Sequence, residues 1–386
     1  MTEYDVIIVG GRVAGAGTAL LLARAGYRVL VVDRCRRGSD TLSTHALMRP
    51  AVLQLQRWGL LDAVAAVTPA QQRVVFHYGD DRVTLDVSRS LYAPRRTVLD
   101  PIIATAAERA GATFRYGVDV RALLRDGTDR VIGVRLRDDG GRIVDVRAPV
   151  TVGADGRRSL VARDAGAAVT RAGTGAGASL YGYWTGIQAA GFEWCFRPGR
   201  SSGLIPTNDG RVCVFASVPA ARFTAELRHD VPRGLHRILA ETSAAVAARV
   251  AGGTQVERVR AYPGTAAWLR RPWGPGWALV GDAGYFKDPT TAHGITDAVR
   301  DAELLATALD RGLRGVMPMV DALARYERVR DELSIPLFEI TDALAGFGWD
   351  LAEAQRLHVA MSHELQREVD ALAALPLPRS AEFASA

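Results

Sequence analysis

Three stretches of this chain combine glycine, an acid and an apolar run in ways that suit a phosphate-bearing ligand. The first is "VGGRVAGAG", in which Gly10, Gly11 and Gly15 stand between the apolar run YDVIIV and an apolar helical pattern. In a dinucleotide loop the first glycine permits the tight turn, the second lets backbone approach the pyrophosphate, and the third lets the helix pack on the strand. Gly10 and Gly15 keep the turn and the packing, but Arg12 occupies the middle place. It adds a Cβ where a pyrophosphate lies closest, and it brings a guanidinium that can bind phosphate bidentately. The helix start offers free N–H groups and about half a positive charge. Asp33 ends the next apolar run, YRVLVVD, where an acid accepts hydrogen bonds from a ribose. A doubly wound strand–helix start with no ligand reads the same way.

The second stretch, "VGADGRRSLVAR", places Asp155 and Gly156 at a strand end, although any Asp-Gly can be a plain turn. In the third, "WALVGDAGYFKDPTTAHGITDAVRDAELLA", a buried strand ends in Gly281–Asp282, Pro289 stiffens a loop, and Gly294 opens a long helix. An aspartate there can hold a hydroxylated chain, and a helix start can stabilise an anionic heterocycle. His45, in "SDTLSTHAL", and His293 are candidates for bonding a substrate or ionising a phenol. A capping or packed histidine explains either equally well. Tyr181 and Tyr183 share a face of the strand pattern "SLYGYWTG" and, with Trp184, suit a pocket lining or a sheet core. Lys287 is the only lysine, and a solvated loop position is expected for it.

The totals bound the answer. A chain of 386 residues suits two domains or one elaborate one, and 48% hydrophobic with 23% charged residues is ordinary for a globular protein. Three cysteines form neither a disulfide framework nor a metal cluster, so a reducing, cytoplasmic setting is expected. A signal peptide and a membrane-spanning run are not expected. The formal charge is +6, yet acids are interspersed with the basic residues, which disfavours nucleic acid. The expected partner is a small molecule, with no membrane, and the chain is expected as a monomer or homodimer.

These motifs need elements to hold them. A βαβ unit starts the chain; strands follow in "RVVFHY" and "RVTLDV"; a helix follows in "RRTVLDPIIATAAERAGA"; strands with Asp-Gly and Gly-Gly turns lead to residue 153. Strand patterns return over 179–218, and the last stretch is helical, with a break expected near "SIPLF". The fold class expected is α/β: a Rossmann-like nucleotide domain (1–70, 96–170 and 262–340), a β-rich substrate domain inserted in it (71–95 and 171–261), and a C-terminal helical segment (341–386).

In order and spacing, the three motifs resemble the FAD-dependent monooxygenases of the p-hydroxybenzoate hydroxylase type, over roughly residues 4 to 310. That superfamily also holds flavin halogenases and geranylgeranyl reductase-like enzymes. The resemblance implies that Gly10, Gly11 and Gly15 bind the FAD pyrophosphate, with Arg12, Val13 and Ala14 beside them, and that Asp33 binds the ribose with Arg34 next to it. It implies that Arg96, in R-x-x-L with Leu99, contacts the cofactor and that the Val120 backbone meets the adenine. Asp155 and Gly156 match the family's DG motif, implicated in FAD and NAD(P)H binding. Asp282, after Gly281, matches the aspartate on the ribityl chain. Pro289 would sit beside the isoalloxazine, with Gly294 and Ile295 donating N–H to it, and Thr44 is placed at the cofactor too.

Where the family commonly reads Pro-x-Gly-Gly-Gln-Gly-x-Asn, this chain has Pro289-Thr-Thr-Ala-His-Gly-Ile-Thr296, a bulkier loop. The halogenases' lysine in the N-terminal half and their W-x-W-x-I-P stretch are both missing, so halogenation is disfavoured. The activity implied is hydroxylation of an electron-rich, aromatic natural-product intermediate through a flavin hydroperoxide, with O2 and a transient NAD(P)H. The alternatives are a flavin reductase acting on a C=C bond and a non-catalytic binding protein on the same fold.

Overall fold

The computed structural model describes residues 4–138 and 140–376, so the last ten residues of the expected 341–386 segment lie outside the described residues. A six-stranded sheet runs in the order Trp273–Gly274, Trp277–Leu279, Val150–Gly153, Val6–Val9, Val29–Asp33, Thr113–Tyr116. Five strands are parallel and the short Trp273–Gly274 edge is antiparallel. Both faces are covered, which is why VIIV and VLVV are continuous apolar runs. Val6 and Ile8 pack towards the helices Val13–Arg24, Arg96–Arg109 and Gly294–Leu313. Ile7 and Val9 pack instead on Val120, Val134 and Leu136 of a three-stranded antiparallel sheet.

The inserted β-rich domain is built on an eight-stranded sheet. Gly177–Thr185, Val212–Pro219, Arg200–Pro206 and Phe192–Arg197 pair antiparallel in that order. Phe192–Arg197 then pairs in parallel with Gln71–Tyr78, which joins two stretches distant in sequence. One face carries Leu180, Leu204 and Val214 against the helices Val231–Thr242 and Ala244–Ala251. The other carries Tyr78, Tyr181, Tyr183, Trp194, Phe196 and Phe215 beneath the two C-terminal helices.

Those helices are Met319–Gly346 and Leu351–Ala373. The break expected near "SIPLF" is absent: the first helix continues through Pro336. Proline forfeits one backbone hydrogen bond, but Ser334 before it and Leu337, Phe338 and Thr341 after it are buried, and that packing holds the helix together. Among the described residues no helix is long and apolar enough to cross a membrane.

Candidate functional site

The glycine loop is closed by contacts that only glycine allows. Gly10 has φ +105°, and a Cβ on it would lie 2.3 Å from the Ala154 carbonyl oxygen; a Cβ on Gly15 would lie 1.8 Å from the Gly10 oxygen. Strand end, helix start and the Ala154–Asp155 turn therefore meet at one point. The Asp33 carboxylate braces the loop by accepting from Gly11 N–H at 2.8 Å and Cys35 N–H at 2.7 Å. The helix Val13–Arg24 has no side-chain cap, so the first-turn N–H groups of Val13, Ala14 and Gly15 are open to an anion. Arg12 donates from Nη2 to the Asp40 carbonyl at 3.5 Å, while its buried Nη1 has no partner. An orphan guanidinium N–H beside an uncapped helix start fits a pyrophosphate. A recess lined by Asp33, Cys35, Arg36, Ser39, Pro101 and Tyr116 continues from this loop; Arg34 is not among its lining residues.

The expected neighbours differ in how free they are. Arg96 is engaged in a two-point ion pair with Asp100, at 2.7 and 3.0 Å. The Asp155 carboxylate accepts from Ser159 Oγ at 2.5 Å and Leu160 N–H at 2.6 Å, capping the short helix Leu160–Asp164, while Gly156 turns at φ +76°. Val120 points into the core, at a register shift of its strand. Gly281, at φ +60°, lies where a Cβ would meet the Ala14 side chain at 2.9 Å, which brings the third motif onto the glycine loop. Burial raises the Asp282 carboxyl to about 6.

Beyond it the loop makes one tight turn, Pro289–Thr291, passes through Ala292 at φ 52°, and enters the helix Gly294–Leu313, whose His293 N-cap supplies no side-chain bond. The N–H groups of Gly294 and Ile295 are thus also open. Asp288 fastens this loop to the β-rich sheet, accepting from Gly177 N–H at 2.8 Å and Thr290 N–H at 2.9 Å. Burial raises its carboxyl to about 7.

On the sheet side, His45 is held in the left-handed region, φ 65°, with its N–H donated to Ser43 Oγ at 3.1 Å. Its Nε2 hydrogen-bonds Tyr183 Oη, the two rings stack with centroids 5.6 Å apart, and its buried Nδ1 has no partner. Thr44 lies between the two anchor points. Tyr181 stands edge-on to Tyr183, with its Oη accepting from Ser43 N–H at 3.2 Å. The Arg95 guanidinium covers the Tyr183 ring at 4.1 Å and pairs with Glu257 and, at 3.1 Å, with Asp40, which also holds Arg260 at 2.7 Å. Burial, then the charges of Arg95 and Arg96, lower His45 to about 3. The imidazole is neutral at neutral pH.

Three expectations need correction. Trp184 alternates to the opposite face from Tyr181 and Tyr183 and packs with Leu180, Val214 and His236, so it lines no chamber. His293 is buried and engaged within the protein: its Nε2 lies 3.2 Å from Glu368 Oε2 on the C-terminal helix, so it stands as a packed partner of that helix and not as an exposed catalytic group. Lys287 is buried, not solvated, with Nζ 2.8 Å from Asp297 Oδ2. Conversely, Asp40, Arg95, Asp288 and Glu368 were not singled out from sequence. Arg95 is the first arginine of a pair whose second matches the family motif, and nothing local separates the two.

Residues 3–335 match the FAD binding domain family, and the chain belongs to it. It is an FAD-dependent oxidoreductase. Among curated relatives, aklavinone 12-hydroxylase DnrF of Streptomyces peucetius is 28% identical over 353 residues, covering 81% of this chain and 68% of that one. Digeranylgeranylglycerophospholipid reductase 2 of Methanopyrus kandleri is 28% identical over 307 residues, covering 76% and 73%. The match to the probable electron transfer flavoprotein-quinone oxidoreductase YdiS of Escherichia coli is 33% identical but spans only 39% of that protein and 42% of this one. In fold, the chain is similar to the flavin-dependent brominase Bmp2 (TM-score 0.79, 18% identity, 97% of this chain and 96% of that one). It is similar also to Pseudomonas aeruginosa PqsL in complex with 2-aminobenzoylacetate (TM-score 0.74, 24% identity, 93% and 99%).

Proposed function

We propose that this protein is a monooxygenase that hydroxylates an electron-rich aromatic small molecule, a natural-product intermediate, using NAD(P)H and O2. The observation that carries the reading is the Tyr181–Tyr183–His45 group, set on an aromatic sheet face that Asp288 fastens directly to the loop before Gly294. Bound FAD would supply the two-electron chemistry, accepting hydride and activating oxygen. Val13, Ala14, Gly15 and Arg12 would hold its pyrophosphate and Asp282 its polyol chain. The open N–H groups of Gly294 and Ile295 favour negative charge on its ring.

The remaining work falls to the sheet. Phe76, Tyr78, Trp194 and Phe196 stack in one aromatic wall that His358 of the C-terminal helix covers, which keeps water from this side of the sheet. A neutral His45 joined to Tyr183 Oη can pass on the proton a phenol releases rather than store it. Arg95, over the Tyr183 ring, stabilises charge at that oxygen.

Purified protein should show flavin absorbance, aromatic substrates should stimulate NAD(P)H oxidation, and one atom of 18O2 should enter the product. Product that lacks the label but has one C=C bond reduced would overturn hydroxylation. That outcome would favour the reductive reading, for which the relatedness to the Methanopyrus kandleri reductase speaks.

A further inference from the structure

Behind the flavin loop lies a cluster of buried charges that the hydroxylation reading does not use. Lys287 and His293 come from the loop, Asp297, Arg300 and Asp301 from the helix it opens, and Glu368 from the C-terminal helix, outside the 3–335 family match. Arg300 is the hub: Nη1 reaches Asp297 Oδ1 at 3.1 Å and Glu368 Oε1 at 3.2 Å, and Nη2 reaches Asp301 at 2.8 Å and Ser334 Oγ at 2.7 Å. Tyr285 borders the cluster, and Arg330, paired with Asp331, approaches from the helix Met319–Gly346.

One ligand atom from each of His293, Asp297 and Glu368 lies within 4.8 Å of the others, a metal-like grouping. Lys287 Nζ and Arg300 Nη1 already form ion pairs with those carboxylates, so their charge is matched without a metal cation. The bonded carboxylates, Asp297, Asp301 and Glu368, outnumber the bonded cations, Lys287 and Arg300. A dry cluster with that excess is costly unless one proton joins it. The 3.2 Å approach of Glu368 Oε2 to His293 Nε2 is where that proton fits. Burial supports the site, raising Glu368 to about 7 and lowering His293 to about 3.

We propose that Glu368 is a positioning residue for the flavin site: it holds His293, the N-cap of the helix Gly294–Leu313, and shares with it the proton that keeps the cluster neutral beneath the first turn of that helix. The C-terminal helix thereby completes the end of the site that bears Gly294 and Ile295. The inference goes beyond hydroxylation and rests only on FAD binding.

The test uses full-length protein stripped of FAD and retitrated, read by flavin fluorescence, with the flavin midpoint potential then measured from pH 5.5 to 8.5. Glu368→Gln keeps a hydrogen bond but cannot ionise: FAD affinity should stay within about threefold of wild type, while the curve of potential against pH should depart from the wild-type curve by the loss of one ionisation. Glu368→Ala should weaken FAD at least about tenfold, and Glu353→Gln, exposed on the same helix, should change neither readout. A potential–pH curve for Glu368→Gln that superimposes on wild type, or wild-type FAD affinity in a folded Glu368→Ala, overturns the proposal; should the alanine variant not fold, the glutamine variant decides. Neither readout involves substrate, so their failure is distinguishable from a failure of hydroxylation.

Discussion

The two ends of the site are held by opposite means. At the glycine loop, the backbone does the work: Gly10 and Gly15 bring carbonyls to distances that no side chain tolerates, and a single carboxylate, Asp33, braces the turn. At the loop before Gly294, side chains do it: Asp288, Lys287, His293, Arg300 and Glu368 join four separate elements through buried charge. A site closed by backbone contacts has a single ionisable brace, Asp33, to lose. A site made of buried ions is rigid only while every charge keeps its partner.

The largest effect should come from breaking the ionic end at its hub. Arg300→Leu leaves Asp297, Asp301 and Glu368 without their common cation and should lower stability by about 3–5 kcal/mol, read as a fall in thermal midpoint with and without FAD. Gly15→Ala attacks the backbone end instead. Its Cβ would meet the Gly10 oxygen at 1.8 Å, so a loss of about 3 kcal/mol is expected, together with loss of flavin absorbance from the purified protein.

A third test reads pH at the aromatic sheet face, away from both ends. His358 packs on Phe196 at 4.4 Å and bonds Tyr78 at 3.1 Å, and burial lowers it from 6.5 to about 4. Below 6.5 the unfolded chain takes up a proton that the folded one refuses. This contribution is therefore complete above 6.5 and is lost as pH falls towards 4, by about 3 kcal/mol. His358→Phe should remove that much of the acid destabilisation, measured by denaturant unfolding at pH 7 and pH 4; an unchanged pH dependence would refute the assignment. The smallest effect is expected at Arg12→Gly. The orphan guanidinium N–H is lost, but glycine lets the backbone approach the pyrophosphate, so FAD affinity should fall only about threefold. A tenfold fall would show that the arginine carries the phosphate alone.

The same contrast explains what the sequence disclosed. The Gly10–Gly15 loop, Asp33 and the Gly281–Ile295 loop are legible because their spacing along the chain is their geometry. The sheet face of Tyr181 and Tyr183 is legible from alternation, and alternation applied one residue further would have placed Trp184 on the other side. Glu368 lies 3.2 Å from His293 although 75 residues separate them, and no local pattern announces such a pair. Pro336 misled for a related reason: its local signal is a break, and burial of its neighbours overrides it.

The burial of Lys287 has a practical side. It is the chain's only lysine, and its side chain is 2% exposed. Amine-directed labelling of that side chain must wait for the cluster to open, so its rate reports local unfolding of the loop and C-terminal helix. With a single lysine, the mass gain of the peptide that carries Lys287 becomes a clock for how often this end of the site comes apart.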